Sequence, residues 1–309
     1  MSRIFLVLIF TVTAVLGSAA TCLAWGPGVH MAIGNAVLSH TGLFSAETAR
    51  MLLSNSAIFL YGCLSADIFI GKGSKAKRKH SHNWKTGFAL LEEADTEFLK
   101  AYSLGYLSHL AADIIAHNYY VPNLMCEAPP GGRVSHVYIE MLADDQANWS
   151  AQQTTRLFRK AHDEADLSLR KHMDARKLSF FLKKSVFHQT IGLLEYKTVT
   201  RSLHFSKRVI PAYRHDYLRS VLDYSYRLVV DLLQDPEKAV ALEFDPIGSD
   251  NLALASKENS WRRALKRSGD SATSFEVSGR ITALPFPPGT DALMKPASGN
   301  YSPPLPSRG

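Results

Sequence analysis

Apolar side chains recur at helical spacing in almost every segment from Val29 to about Leu233. They return at the spacing of one helix face, and the strict alternation that indicates a half-buried strand is scarce. The pattern therefore predicts an all-α fold, built as a multi-helix bundle. The predicted helices cover residues 29–40, 45–61, 88–119, 134–148, 154–176, 179–196 and 213–233.

The composition of the chain changes after residue 242. Residues 243–309 are rich in Ser, Gly and Pro, and a segment of this kind lacks the apolar residues for a packed core. We therefore predict a helical domain over residues 25–242. A low-complexity, partly disordered tail is predicted over residues 243–309.

The N-terminus has the pattern of a secretory signal peptide. Arg3 is followed by an apolar run over residues 4–16, which is too short to span a bilayer, and small residues precede Trp25. Cleavage after Ala24 would remove residues 1–24 and leave a mature protein that starts at Trp25. This protein is expected in the periplasm or outside the cell. Lipidation of Cys22 is the alternative, and it would leave Trp25 without a free amine.

The charge of the chain favours anionic partners. The formal net charge is +7 at pH 7, which suits lipid headgroups or nucleic acid without choosing between them. Peripheral contact with an anionic membrane surface is therefore expected. Cys63 and Cys126 remain after signal removal, and the sequence leaves open whether they pair or are buried as small apolar residues.

A row of polar side chains within an apolar segment is the strongest chemical signal. His109, Asp113 and His117 follow one another at intervals of four residues, so on a helix they project from one face. Burying such groups without partners would cost roughly several kcal/mol each. A divalent metal ion binds neutral imidazole and carboxylate directly, so this row predicts metal ligands.

Other candidate ligands occur before and after this row. His136 and Glu140 are also four residues apart on a predicted helix, and taken alone they are either a hydrogen-bonded pair or two ligands. Asp67 precedes a basic, predicted loop that contains His80 and His82, where most histidines are exposed. Beside the first row, the pair His136 and Glu140 is expected to complete a shared site.

The start of the predicted mature chain offers a further metal position. His30 comes five residues after Trp25, and the Gly and Pro residues between them favour a sharp turn. The terminal amine and first carbonyl of Trp25 could then share one metal ion with His30.

Together these elements, from Trp25 to Leu142, resemble the bacterial zinc-dependent phospholipase C family, whose superfamily also contains single-strand-specific zinc nucleases. Residues 82–84 are similar to the family's His-x-Trp element, which favours His82 over His80. The resemblance implies up to three zinc ions. Their ligands would be Trp25, His30 and Asp113 for the first, Asp67, His82, His109 and Asp113 for the second, and His117, His136 and Glu140 for the third.

The resemblance also implies a zinc-dependent phosphodiesterase that acts on phospholipid headgroup esters, with a metal-activated water as the nucleophile. Asp67 is the predicted catalytic base, because a carboxylate beside a metal can both bind it and accept a proton. The glutamate at position 140 resembles the phospholipases of this superfamily, since the nucleases have an aspartate there. The alternatives are a zinc-dependent nuclease or nucleotidase, suggested by the basic charge and the short interval from Trp25 to His30, and an inactive zinc-binding protein of the same fold.

Overall fold

The computed structural model describes residues 25–69, 80–127, 136–160, 162–193, 215–265 and 274–296. Most of these residues are helical and none lies in a strand, which confirms the all-α prediction. The helices are α1 Pro27–Ser39, α2 Ala46–Ser54, α3 Ser56–Ser65, α4 Trp84–Glu92, α5 Glu97–Ile115, α6 Val121–Glu127, α7 His136–Gln146, α8 Ala151–Arg159, α9 Asp163–His172, α10 Lys177–Leu193, α11 His215–Gln234, α12 Ser249–Leu265 and α13 Gly279–Thr282. Short 3-10 turns cover Thr41–Leu43, Ala66–Phe69, Val240–Glu243 and Thr290–Leu293.

Helix α5 lies at the centre of the molecule. Every residue from Ala101 to Ile115 is buried. A helix that is buried on all sides needs neighbours on all sides, and α3, α4 and α11 pack around it. The two predicted metal ligands on α5, His109 and Asp113, therefore lie in the interior of the fold.

Backbone contact between α3 and α5 sets the position of the turn that follows α3. A Cβ atom at Gly105 would lie 2.1 Å from the carbonyl oxygen of Phe59, and one at Gly62 would lie 2.2 Å from that of Tyr102. Only glycine permits this approach, because no side chain can move to make room. The contact holds the end of α3, and with it the turn of Asp67, against the middle of α5.

The predicted helix over residues 88–119 is two helices, α4 and α5. Thr96 begins the second one, since its side chain accepts a hydrogen bond from the amide of Leu99 at 3.2 Å. The predicted end of this helix at residue 119 is also wrong. The chain passes from α5 through one π-helical turn, Ala116–Tyr120, directly into α6, and Pro122 is the second residue of α6.

The segment after residue 243 contributes to the packed structure. Helix α12 packs against α6, and Ile281 and Leu293 are 0% and 1% exposed. The expectation that this composition cannot supply a packed core is therefore wrong for residues 243–265 and 274–296. Residues 266–273 and 297–309 lie outside the described residues, and the division of the chain at residue 243 stays a prediction.

Cys63 and Cys126 are both buried free thiols, so of the two alternatives left open by the sequence, the buried apolar role holds. Among the described residues, no single helix is long and apolar enough to cross a membrane. One bent pair, Ala46–Ser54 with Ser56–Phe69, meets the length and composition criteria jointly, with an angle of 85° at the break. The predicted signal peptide, residues 1–24, lies outside the described residues.

The contact between α3 and α5 can be tested by substitution. Gly105→Ala is expected to lower the free energy of unfolding by about 1–3 kcal/mol or more, because two backbones must separate to admit one methyl group. Thermal or urea unfolding measures this loss. Gly42→Ala is the matched control, since Gly42 has nothing within 4 Å of an added Cβ. Equal stability of the two variants would contradict the contact.

Candidate metal centre

Four side chains from three separate segments meet beside α5. Asp67 comes from the 3-10 turn after α3, His82 precedes α4, and His109 and Asp113 lie one turn apart on α5. His82 Nε2 lies 3.0 Å from His109 Nε2, 3.2 Å from Asp67 Oδ1 and 3.2 Å from Asp113 Oδ2. His109 Nε2 lies 3.1 Å from Asp113 Oδ2 and 3.7 Å from Asp67 Oδ1.

These separations match the spacing of ligands around one zinc ion. Two ligands bound to zinc at about 2.0–2.1 Å in tetrahedral geometry lie about 3.3 Å apart. The four donor atoms also have the right chemistry, two imidazole nitrogens and two carboxylate oxygens. Asp67, His82 and His109 together could hold a metal ion by their mutual distances alone.

A second group of donors meets the other oxygen of Asp113. His30 Nε2 lies 3.1 Å from Asp113 Oδ1, and the backbone nitrogen of Trp25 donates to the same oxygen at 3.4 Å. The His30 ring stacks on His109 with centroids 3.9 Å apart, and His30, His109 and Asp113 form a further set able to hold a metal ion. Asp113 therefore turns one oxygen to each group of donors.

The donor atoms are buried, and several of them have no hydrogen-bond partner among the described residues. Asp67, His82, His109 and Asp113 are at most 5% exposed. Neither oxygen of Asp67 has a hydrogen-bond partner, nor have Asp113 Oδ2 and His30 Nε2. Buried polar atoms of this kind are costly unless something satisfies them, and a divalent cation between converging lone pairs does so. The residues present thus fit zinc.

Hydrogen bonds on the outer ring nitrogens orient the histidines. His109 Nδ1 contacts the carbonyl oxygen of Cys63 at 2.9 Å, and His117 Nδ1 contacts that of Pro246 at 2.6 Å. A carbonyl can only accept, so each Nδ1 carries the hydrogen and each Nε2 is left as a basic nitrogen. This is the arrangement by which proteins fix the tautomer of a metal-binding histidine.

Trp25 is anchored by its indole ring rather than by its backbone alone. The indole Nε1 donates to the carbonyl oxygen of Ala112 and to Ser225 Oγ, both at 3.0 Å, and the side chain is fully buried. Its ring packs on Tyr120 with centroids 4.8 Å apart. These contacts hold the Trp25 nitrogen beside Asp113. Ser225, which lies on α11, could not be found from the sequence.

Asp144, a buried residue outside the predicted ligand set, supports the start of α1. Asp144 Oδ1 accepts a hydrogen bond from the amide of Val29 at 2.9 Å, and Asp144 is 3% exposed. A carboxyl oxygen at a helix N-terminus satisfies a free amide group. It therefore steadies the turn that carries His30. The signal was available in the sequence, because Asp144 follows Glu140 by four residues on α7.

The structure describes the side chains of only two of the third predicted group of ligands, His117 and Glu140. Glu140 is 2% exposed, and burial raises the pKa of its carboxyl well above the usual value. The His117 ring lies 6.3 Å from that of His82 between centroids. His136 is the first residue of α7, but its side chain lies outside the described residues. The expectation, from a loop position alone, that His80 and His82 are exposed is wrong, since they are 9% and 5% exposed.

The sequence profile of the zinc-dependent phospholipase C family matches residues 29–186, slightly more than half of the chain. The chain belongs to this family. The matched region holds every predicted site residue except Trp25, and it ends within α10. Comparisons with curated proteins and with solved structures gave no match. The family is zinc-dependent, which agrees with the buried groups of histidine and aspartate described above.

Asp67 and Asp113 control the charge of the candidate metal centre when no metal is bound. Burial alone would lower the pKa of His82, but the carboxylates of Asp113 and Asp67, each 3.2 Å from its Nε2, outweigh burial and raise it to about 10. Burial likewise opposes ionisation of Asp113, yet His109 and His30 hold its pKa well below the usual range. The metal-free centre at neutral pH therefore keeps a proton on His82 and a negative charge on Asp113.

Zinc binding should therefore release a proton near neutral pH. At pH 7 the metal-free His82 is protonated, so binding must displace about one proton from it, and the apparent affinity should rise as the pH is raised toward 10. Calorimetry in two buffers of different ionisation enthalpy measures the release. His215→Ala, at a partly exposed histidine, should leave the proton count unchanged, whereas His82→Ala should lower it. Zinc binding at pH 7 with no proton release would contradict the assignment.

Proposed function

We propose that this protein is a zinc-dependent phosphodiesterase that hydrolyses phospholipid headgroup esters. Membership of the phospholipase C family supports the reaction class. The single observation that carries the proposal is the position of Asp113, whose two oxygens face two separate groups of buried donor atoms. A carboxylate in this position suits a multinuclear centre, and such a centre suits phosphodiester hydrolysis.

We assign the metal positions as the sequence predicted. The centre would take up to three zinc ions. The proposed ligands are Trp25, His30 and Asp113 for the first, Asp67, His82, His109 and Asp113 for the second, and His117, His136 and Glu140 for the third. Support for the first two positions comes from the distances among their donors, and support for Glu140 comes from its burial with an Oε1 atom that has no hydrogen bond among the described residues.

Zinc, when bound, supplies Lewis acidity that neutralises phosphate oxygens and lowers the pKa of water. Asp67 is the proposed base for the attacking water. Its Oδ1 faces His82 and His109, which leaves Oδ2 available to accept the proton. Water forms the new bond to phosphorus, the bond from phosphorus to the glycerol oxygen breaks, and the proton on Asp67 passes to that leaving oxygen. The products are diacylglycerol and a phosphorylated headgroup.

Export and cleavage after Ala24 form part of the proposal. In the full chain the Trp25 nitrogen that faces Asp113 is a peptide amide, which is a poor metal ligand. In a chain that begins at Trp25 the same atom becomes an amine with a free lone pair. The burial of the indole would hold that amine in place. N-terminal sequencing of the exported protein distinguishes a start at Trp25 from a lipidated Cys22.

The aromatic residues near the centre favour a lipid substrate over a nucleic acid. Base-stacking platforms need aromatic rings with an accessible face. Tyr119 and Tyr120 are 6% and 1% exposed, and Trp84 is partly buried, with its indole donating to the carbonyl oxygen of Phe244 at 2.9 Å.

The nearly complete burial of the metal-donor atoms favours a second candidate function, a zinc-binding protein of this fold without turnover. Closed zinc sites of this kind are structural.

Asp67→Asn tests the proposed catalytic base. We expect it to retain zinc and fold but to lower kcat on phosphatidylcholine by about 10²–10⁴-fold, because the amide cannot accept the proton. Zinc analysis and a headgroup-release assay measure both properties. Asp216→Asn is the control, since Asp216 is a fully exposed carboxylate on α11.

Full activity of Asp67→Asn would remove Asp67 from the mechanism. Faster cleavage of single-stranded DNA than of phosphatidylcholine by the unmodified protein would support the nuclease alternative. Zinc retention with no hydrolysis of either substrate would support the inactive zinc-binding protein.

A further inference from the structure

Helix α10 presents an apolar face to solvent. Of the eight large apolar side chains that are exposed in the described part of the chain, four lie on this helix. Leu178 is 74% exposed and Leu182 is 60% exposed, with Phe181 and Val186 near 40%. At 100° per residue these four side chains fall on one side of the helix, opposite the buried Phe180 and Phe187. We call the four the apolar stripe.

The orientation of α10 is fixed by polar contacts on its inner side. The Lys184 ammonium donates to Asp166 Oδ2 at 2.6 Å, and the Tyr61 hydroxyl donates to Asp166 Oδ1 at 2.5 Å. Lys184 and Asp166 are 9% and 3% exposed as whole residues, so a rotation of α10 that hid the stripe would break a buried ion pair. The stripe is therefore held outward by the fold.

The charges around the stripe are mainly positive. Besides the paired Lys184, helix α10 contains Lys177 and Lys183 and no acidic residue. A cavity of about 370 Å³ adjoins the stripe at Phe181, and Arg159 and Lys160 line it. The carboxylates of this cavity are Asp163 and Asp166, the second of which is already paired with Lys184. An apolar stripe flanked by cations is the combination that anionic bilayers attract.

The stripe also lies close to the proposed catalytic carboxylate. Phe180, on the inner side of α10, packs on Phe69 with ring centroids 5.6 Å apart, and Lys183 lies over the same ring at 5.4 Å. Phe69 is the last residue of the 3-10 turn that carries Asp67. A surface touching the stripe would thus be separated from this turn by about one helix diameter, roughly 10–12 Å.

We propose that the apolar stripe is the surface by which this protein docks on bilayers that contain anionic phospholipid. The proposal rests on the proposed function for the nature of its partner, and it deepens that function by naming where the lipid surface is met. Docking inserts the Leu and Phe side chains between headgroups while the neighbouring cations contact lipid phosphates. The bilayer then lies against the side of the fold on which α10 covers the turn of Asp67.

The test compares membrane binding with hydrolysis. The double variant Leu178→Ser/Leu182→Ser should bind vesicles of equal parts phosphatidylcholine and phosphatidylglycerol about tenfold more weakly than the unmodified protein, and added salt should weaken the binding of both. Leu254→Ser is the matched control, since Leu254 is 56% exposed on α12, and it should bind as the unmodified protein does. Vesicle sedimentation measures binding in the zinc-loaded protein.

Hydrolysis of a monomeric, short-chain phosphatidylcholine keeps this proposal separate from the proposed function. The double variant should cleave that substrate at the unmodified rate and lose activity only on vesicles. Failure of the unmodified protein to cleave either substrate would remove the proposed function, while the binding comparison would still be decisive. Unchanged vesicle binding by the double variant would overturn the docking surface. So would an unmodified protein that sediments as a dimer and a double variant that is monomeric, because the stripe would then contact a second copy.

Discussion

The carboxylate of Asp113 is the group on which the rest of the centre depends. It is fully buried on the central helix, and each of its oxygens is within 3.4 Å of nitrogen donors from a different part of the chain. An isolated buried carboxylate would be strongly disfavoured, so the surrounding imidazoles make its position tolerable, and a cation bound between them would do so further. The helices of the fold bring those partners from distant segments to this one side chain.

The packing of the bundle and the chemistry of the centre are consequently inseparable. The glycine contact between α3 and α5 places Asp67, the indole of Trp25 places its own backbone nitrogen, and Asp144 steadies the turn of His30. None of these three supports is itself a proposed base or nucleophile. Each acts by removing freedom from a donor atom, and a metal centre needs such supports to hold its ligands within a few tenths of an ångström.

Local spacing was enough to predict the parts of the centre that lie on one helix. His109 and Asp113 were recognised because a four-residue interval places side chains on one face, and the structure brings them together. The grouping of Asp67, His82 and His30 around them came from the resemblance to a family, since no local pattern specifies which distant segments meet. Ser225 and the carbonyl of Pro246 carry no sequence signal at all. The helices after residue 243 were missed because composition describes an average, whereas a few well-placed residues such as Ile281 suffice for packing.

We propose that Asp113 would give one oxygen to each of two zinc ions in a protein that begins at Trp25. Diffraction data collected at the zinc absorption edge, from crystals of the exported protein grown with zinc, test this proposal most directly. We expect one anomalous peak among Asp67, His82 and His109, and a second peak between His30 and the amine of Trp25, with one oxygen of Asp113 beside each. A single peak, or two peaks that share no contact with Asp113, would contradict it.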